Sequence, residues 1–413
     1  MNEPLTCEEH FMIPNQAHLF DIPQEVTYLN CAYTSPLLKT ARAAGEKAVQ
    51  AKSQPWNITP AHFFSSIEPL RDLFSKLVDG SPDQVAIIPA VSYGIALAAK
   101  NLPFSSGQNI VVIEDQFPSN IYSWKRLTDE KNGKILTVSR PEDGNWTPAV
   151  IDMINSETAI VAVPNSHWTD GTLLDLVRIK SECRKAGSAL VIDATQSLGA
   201  LSFSVKEIQP DFLIYDSHKW LLGAYGLGFC YVDPKWHDGI PLEENWLNRA
   251  GSEDFSRLVD YQDEYQPGAR RFDVGGASNF FLSPVAQAGL TQLLEWQVPE
   301  IEMSLKTITT QMAFQRTCRH GLHKKKYLSV SEDSPSGLPP IYTQPPSMWK
   351  NFSTHFAEHN RFQAKIAGQL FCNSCPACPG EKMVKLRYAA PRWSLWQWSG
   401  FPTTEAENRS RHL

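Results

Sequence analysis

The sequence predicts an α/β fold built on a mostly parallel sheet that helices cover on both faces. Short, continuous apolar segments recur between about residues 80 and 240, as expected of strands that are buried on both faces. Amphipathic segments lie between them, and one of these runs through residues 173–186 and is followed by Gly187, a typical helix stop. Strands that alternate with helices in this way form parallel sheets.

Six segments are predicted to be strands of this sheet, in the order 85–88, 110–113, 159–163, 189–192, 212–214 and 227–232. Ligands of such sheets bind at the carboxyl ends of the strands. Asp193 directly follows the fourth segment and Lys219 follows the fifth. We therefore expect both side chains at the same edge of the sheet.

Two flanking regions differ from this pattern. Residues 1–35 contain one short extended piece and a turn, and a long helix is predicted to begin after residue 282. We expect residues 1–35 and 283–413 to form a smaller domain beside a large domain of residues 36–282. Beyond about residue 311 the apolar periodicity fades, which indicates a divergent domain, an insertion or an altered reading frame, and we favour the last.

Composition narrows the classes of partner. The chain has 413 residues, of which 38 are basic and 44 acidic, and its net charge of −6 argues against nucleic acid or an anionic membrane as the main partner. No apolar stretch reaches the ~18 residues typical of a membrane span. The acidic N-terminus resembles neither a secretory signal nor a transit peptide. We expect a cytoplasmic protein.

Lys219 and Asp193 are the candidate catalytic residues. An amine and a carboxylate on neighbouring strand ends are what pyridoxal 5'-phosphate (PLP) requires, because the lysine forms a Schiff base with the aldehyde and the acid pairs with the pyridinium nitrogen. The glycines between Gly223 and Gly228 would let the backbone pass close to a cofactor. The structural alternatives are a surface lysine and a helix N-cap.

The segments 191–200 and 217–220 resemble the aminotransferase class V family of PLP-dependent enzymes, which includes cysteine desulfurases, kynureninase and isopenicillin N epimerase-like proteins. The resemblance covers roughly residues 25 to 300. It implies a type I aminotransferase-like fold, with a mostly parallel seven-stranded sheet in the large domain and a smaller α+β domain. It also implies a homodimer, PLP as the cofactor, and an amino-acid substrate that reacts through an external aldimine.

The resemblance assigns the cofactor contacts loop by loop. The loop that carries Ser92 and Tyr93 would hold the phosphate at a helix N-terminus, and Ser217 and His218 would add hydrogen bonds. Phe117 would stack on the pyridine face, where many desulfurases of the family have histidine. The alternative for Phe117 is core packing.

Four further residues complete the predicted cofactor site. Gln196 and Asn165 resemble the family residues next to the oxygen on the cofactor ring. Ser278 or Asn279, in a segment that resembles the family's Arg-Phe-x-x-Gly element, would reach the phosphate bound by the neighbouring subunit. The alternative for that segment is a solvated glycine-rich turn.

Tyr33, His167 and Arg387 are the candidate substrate-binding residues. In the resemblance an arginine of the small domain binds the substrate carboxylate through two hydrogen bonds, and Arg387 is the nearest match. His167 follows a strand and could face the substrate, although a lone histidine is more often structural. Tyr33 lies in the turn of the N-terminal arm.

Three closely spaced cysteines, Cys372, Cys375 and Cys378, favour two other functions weakly. One could be the nucleophile of a desulfurase, and their spacing also resembles metal or iron–sulfur ligation. A complete metal site would need a fourth ligand, and no metal is predicted.

The motifs do not decide the reaction, because the cofactor supplies the chemistry of the whole family. We expect an aminotransferase. Cysteine desulfurase or C–S lyase activity and amino-acid epimerisation are alternatives. A non-catalytic relative is a further alternative, motivated by the unusual C-terminal third.

Overall fold

The computed structural model describes residues 12–24, 26 and 28–320, with side chains of the last helix described to residue 311. The strands of this part are β1 (Val85–Ile88), β2 (Asn109–Ile113), β3 (Lys134–Val138), β4 (Thr158–Pro164), β5 (Ala189–Asp193), β6 (Phe212–Asp216) and β7 (Gly228–Val232). The α-helices are α1 (Lys39–Lys52), α2 (His62–Ser65), α3 (Glu68–Leu77), α4 (Val91–Asn101), α5 (Tyr122–Lys131), α6 (Trp146–Met153), α7 (Leu176–Ala186), α8 (Val205–Ile208), α9 (Leu282–Trp296) and α10 (Val298–His320).

The strands form one seven-stranded sheet in the order β1-β7-β6-β5-β4-β2-β3. Strand β7 pairs antiparallel with β1 and β6, and all other pairs are parallel. The predicted α/β fold with a mostly parallel seven-stranded sheet is therefore confirmed. Six strands share one direction, so their carboxyl ends meet at a single edge of the sheet.

The continuous apolar segments are explained by burial on both faces of the sheet. In β1, Val85 and Ile87 belong to the core layer that includes Phe74 of α3, whereas Ala86 and Ile88 belong to the opposite layer with Ile95 of α4. A strand covered on both faces needs no polar positions. Phe74 in turn stacks on a phenylalanine of β7 at a centroid distance of 4.4 Å.

Strand β3 was not among the predicted strands. It lies at the edge of the sheet, and only Val138 of its five residues is buried. An edge strand pairs on one side only and carries polar residues such as Lys134 and Thr137, so it lacks the continuous apolar pattern.

A buried ion pair joins α3 to the turn after the short 3-10 helix Gly268–Phe272. Arg71 donates from Nη1 to Asp273 Oδ1 at 3.0 Å, and Asp273 Oδ1 also accepts the amide of Ile87 at 2.8 Å. Both charged side chains are almost inaccessible to water. The pair therefore fixes the segment that leads to Ser278.

Helix α9 begins at Leu282, where the sequence predicts the long helix. The N-terminal arm contacts α10, since the amide of Ile13 donates to Ser304 Oγ at 3.0 Å. The division into domains 1–35, 36–282 and 283–413 stays a prediction. Within the described residues, no helix has the length and apolarity needed to cross a membrane.

Candidate functional site

The candidate residues gather at the edge where the parallel strands end. Strand β5 ends at Asp193 and β6 ends at Asp216, three residues before Lys219. Asn165 follows β4, Phe117 lies in the loop after β2, and Ser92 lies in the first turn of the helix after β1. Parallel topology alone therefore brings five separate chain segments to one site.

Asp193 and Lys219 form the charged centre of this site. Asp193 is buried, and its Oδ1 accepts the amide of Thr195 at 3.1 Å. Burial raises the pKa of Asp193, an effect that nearby Lys219 opposes. Burial likewise lowers the pKa of Lys219, against the influence of Asp193 and Asp216. The lysine is thus shifted toward the neutral amine, which is the nucleophilic form.

Two glycines hold the backbone of the Lys219 loop at close range. A Cβ atom on Gly199 would lie 2.5 Å from the carbonyl oxygen of Trp220, and one on Gly289 of α9 would lie 2.5 Å from that of Leu221. Real Cβ atoms do not approach backbone oxygens so closely. The absence of these two side chains lets the turn after β5 and helix α9 pack closely against the loop that presents Lys219.

Phe117 forms an aromatic wall above Lys219. The ring centroid lies 5.8 Å from Lys219 Nζ, and 41% of the residue surface is exposed. Trp168 packs edge-on against it at 5.5 Å and is fixed by a hydrogen bond from its Nε1 to Asp115 O at 2.6 Å. This exposure argues against core packing, and the wall is available to a flat ring.

The N-terminal arm crosses the site loops. Gln196 donates from Nε2 to Ala32 O at 3.1 Å, and the amide of Ser35 donates to His218 O at 2.9 Å. Tyr33, between these contacts, is 62% exposed. The arm therefore places an exposed aromatic side chain beside the Lys219 loop. Asn165, which follows β4, donates from Nδ2 to Ser197 Oγ at 2.9 Å.

The predicted phosphate residues lie near the start of α4 and the end of β6. Ser92 is exposed in the first turn of α4, where helix amides lack intrahelical partners. The Tyr93 hydroxyl is buried and has no hydrogen-bond partner among the described residues. Ser217 donates from its hydroxyl to Ala224 O at 2.7 Å and from its amide to Leu227 O at 3.0 Å, so in this arrangement neither proton is free for the phosphate that the sequence predicts it to bind.

His167 does not line the site. Its ring is fully buried and stacks on Trp146 at 5.3 Å with an interplanar angle of 4°. Nδ1 accepts the amide of Thr169 at 3.2 Å, so Nε2 carries the proton that it donates to Glu114 O at 3.1 Å. Burial lowers the pKa of His167, which favours this neutral form. The geometry contradicts the prediction that His167 contacts substrate and assigns it to holding two loops together.

The segment after Asp273 is only partly free for ligands. Asn279 Oδ1 accepts the amides of Phe281 and Leu282 at 3.1 and 2.9 Å, so this oxygen serves the start of α9. Ser278 is buried within its own chain. The role of both residues toward a neighbouring subunit stays a prediction. Arg387 and the three clustered cysteines lie outside the described residues.

The residues at this edge fit PLP. They supply a half-buried amine, a carboxylate whose burial calls for a cationic partner, an exposed aromatic face and a helix N-terminus for the phosphate. Sequence reasoning missed Asp216, which also ends a buried strand beside Lys219. The signal was available, because an acid directly after a continuous apolar segment is the same pattern that identifies Asp193.

Comparisons with known proteins identify relatives of this chain. Residues 51–277, more than half of the chain, match the family model described as Aminotransferase class-V. The chain is 31% identical over 255 residues to the uncharacterized aminotransferase YcbU of Bacillus subtilis (strain 168), which covers 61% of this chain and 65% of that protein. It is 26% identical over 173 residues to a probable cysteine desulfurase of Pyrococcus abyssi, covering 41% and 43% of the two chains. The chain thus spans less than two thirds of the length of these curated relatives.

One solved structure shows the same fold with a cofactor. It is a lysine-to-alanine mutant of C-DES in which glycine is covalently linked to PLP. The TM-score is 0.65 at 18% identity, over 78% of this chain and 84% of that one. At this identity the likeness concerns the fold.

Proposed function

The chain belongs to the aminotransferase class V family, whose enzymes use PLP, and on that premise we propose that it is an aminotransferase acting on an amino acid. The observation that carries the proposal is the pairing of Lys219 with Asp193 at the carboxyl ends of adjacent strands. Asp193 is buried and Lys219 is half-buried, and their surroundings disfavour the charged form of each side chain. A purely structural protein would gain nothing from this cost.

Each residue has a definable task toward the cofactor. When bound, PLP withdraws electrons from the substrate's α-carbon and makes its proton acidic. Asp193 would pair with the ring nitrogen, and Lys219 would remove and return the α-proton. Phe117 would cover one ring face and exclude water from it. The N-terminus of α4 and His218 would anchor the phosphate.

The described cysteines do not favour desulfurase chemistry. Cys31, Cys183 and Cys230 are buried, and burial raises the pKa of Cys31 and of Cys183 to about 12. The pKa of Cys230 is raised for the same reason. None of these three thiols is suited to act as a thiolate nucleophile. C–S lyase activity stays the second candidate, since relatives named cysteine desulfurase match the same part of the chain.

The first test is the visible absorption spectrum of the purified protein with added PLP. We expect a band of lysine-bound PLP that is lost in Lys219→Ala and kept in Lys206→Ala, a matched change at an exposed lysine. A wild-type protein without the band would overturn the PLP proposal.

The reaction is then decided by the fate of the cofactor and substrate. An aminotransferase converts its PLP to the pyridoxamine form when an amino donor is added, and a 2-oxo acid restores the original spectrum. A C–S lyase releases sulfide from cysteine, or cysteine persulfide from cystine, with pyruvate and ammonia and without that conversion. An epimerase inverts the α-carbon and exchanges its proton with solvent. Either of the last two results would replace the aminotransferase proposal.

We further propose a cytoplasmic homodimer. The family resemblance of the 270–280 segment supports the dimer, and exposed aromatic residues such as Trp246 and Tyr261 lie in the stretch of chain that leads to it. Light scattering with size-exclusion chromatography tests the assembly, and a monomer at micromolar concentration would contradict it.

A further inference from the structure

Asp216 and His218 form a close pair beside the Lys219 loop. Asp216 Oδ1 and His218 Nδ1 lie 2.9 Å apart, and both side chains are largely shielded from water. The two atoms are at hydrogen-bond distance but not aligned for a hydrogen bond, and neither has another partner among the described residues. A small rotation of either side chain would therefore let the two atoms form a hydrogen bond with each other.

The position of the histidine is fixed from two further sides. Its carbonyl oxygen accepts hydrogen bonds from the amide and the hydroxyl of Ser35 at 2.9 and 3.2 Å. Its ring meets the edge of Tyr225 at a centroid distance of 4.8 Å. With the backbone held by the arm, the remaining freedom of His218 is the rotation of its ring, and Asp216 is the group that can set it.

A buried carboxylate needs a donor, and it therefore selects the form of the ring that carries a proton on Nδ1. The other nitrogen, Nε2, makes no hydrogen bond within the described residues. When both nitrogens of such a ring carry protons, one N–H faces Asp216 and the other, Nε2–H, can donate to a second anion.

We propose that Asp216 is a positioning residue that orients His218 toward the phosphate of the cofactor and thereby makes the site selective for phosphorylated pyridoxal compounds. The inference rests on the proposed function, since it assumes that PLP binds at Lys219. Asp216 acts through His218 and does not itself meet the phosphate, because two anions in direct contact would repel each other.

The test compares two ligands that lack the aldehyde, pyridoxine 5'-phosphate and pyridoxine, so that covalent capture by Lys219 does not contribute. Their affinities are measured by calorimetry for wild type, Asp216→Asn, His218→Gln and the double variant. Asp193→Asn is the matched control, because it removes a neighbouring strand-end carboxylate that faces the ring nitrogen rather than the phosphate. Asp216→Ser replaces Asp216→Asn if the latter fails to fold, as judged by circular dichroism.

We expect Asp216→Asn to weaken pyridoxine 5'-phosphate binding roughly ten- to hundredfold, the scale of one hydrogen bond to a charged group, and to leave pyridoxine binding within about threefold. The double variant should bind no worse than His218→Gln alone. Asp193→Asn should weaken both ligands alike.

Three results would overturn the inference. They are an equal loss for both ligands in Asp216→Asn, additive losses in the double variant, and unchanged binding. If the wild type binds PLP and the variants give any of these results, the proposed function stands and only this inference is refuted. A wild-type protein that binds neither PLP nor pyridoxine 5'-phosphate would instead contradict the proposed function itself.

Discussion

Replacing Asp273 by asparagine tests the buried ion pair that anchors the segment leading to Ser278. Asp273 accepts from both terminal nitrogens of Arg71, and its Oδ1 also accepts the amide of Ile87. Burial alone would lower the pKa of Arg71, but Asp273 and Glu68 together raise it, so the guanidinium stays charged. Asparagine keeps an acceptor for Ile87 and places an NH₂ group against that charge.

The expected loss in the free energy of unfolding depends on which partners Arg71 keeps in the variant. Removing one member of a buried ion pair costs about 3–5 kcal/mol. Glu68, which is partly exposed, still contacts Arg71 Nε at 2.9 Å, so we expect the lower end of that range. With an unfolding entropy of roughly 2 cal/mol/K per residue, about 3 kcal/mol lowers the Tm of a chain of this length by about 3–4 °C.

The assay is thermal unfolding followed by circular dichroism, with Asp129→Asn as the control. Asp129 forms the same kind of contact, to Lys125 at 3.2 Å, but both side chains are mostly exposed. Such pairs contribute about 0–1 kcal/mol, so the control should shift the Tm by about 1 °C or less. Adding Arg71→Met to Asp273→Asn should recover part of the loss, because the unpaired charge is gone.

Equal Tm shifts for Asp273→Asn and Asp129→Asn would refute the argument, since burial would then make no difference to the pair. A double variant that is less stable than Asp273→Asn would refute it as well. In that case the hydrogen bond from Arg71 to Val85 O, and not the charge pair, would stabilise the segment.

Three further predictions concern the site itself. Because burial raises the pKa of Asp193, its ionisation destabilises the cofactor-free protein as the pH rises through that pKa. Asp193→Asn should therefore raise the Tm measured without PLP at pH 8, and this gain should shrink toward pH 4. The same variant should bind PLP more weakly in a titration. Gly289→Ala should lower both the Tm and the PLP affinity, because its Cβ would lie 2.5 Å from the backbone oxygen of Leu221. The control is Gly45→Ala, whose Cβ would meet only a methyl group at 3.0 Å. Equal effects of the two variants would contradict the close packing of α9 against the Lys219 loop. Phe117→Leu should weaken PLP binding about three- to tenfold through loss of ring stacking, while an unchanged titration curve would show that the ring does not cover the cofactor.

How much the sequence predicts depends on whether a feature is local. The strands buried on both faces could be predicted from the sequence, because such burial requires a continuous apolar segment. Strand β3 could not, since an edge strand mixes exposed and buried positions. Asp216 was readable by the same rule as Asp193 and was missed because Asp193 and Lys219 already satisfied the family pattern.

The sequence by itself determined the α/β class, the strand ends that carry Asp193 and Lys219, and the family resemblance. The apolar segments encode the strands and their ends locally, and the shared direction of parallel strands brings those ends to one edge of the sheet. Only the tertiary structure decided that the ring of His167 stacks on Trp146, and that Phe117 is exposed above Lys219. It also placed Asp216 against His218. Such contacts depend on side-chain packing, much of it between residues distant in the chain, and no spacing within the sequence records it.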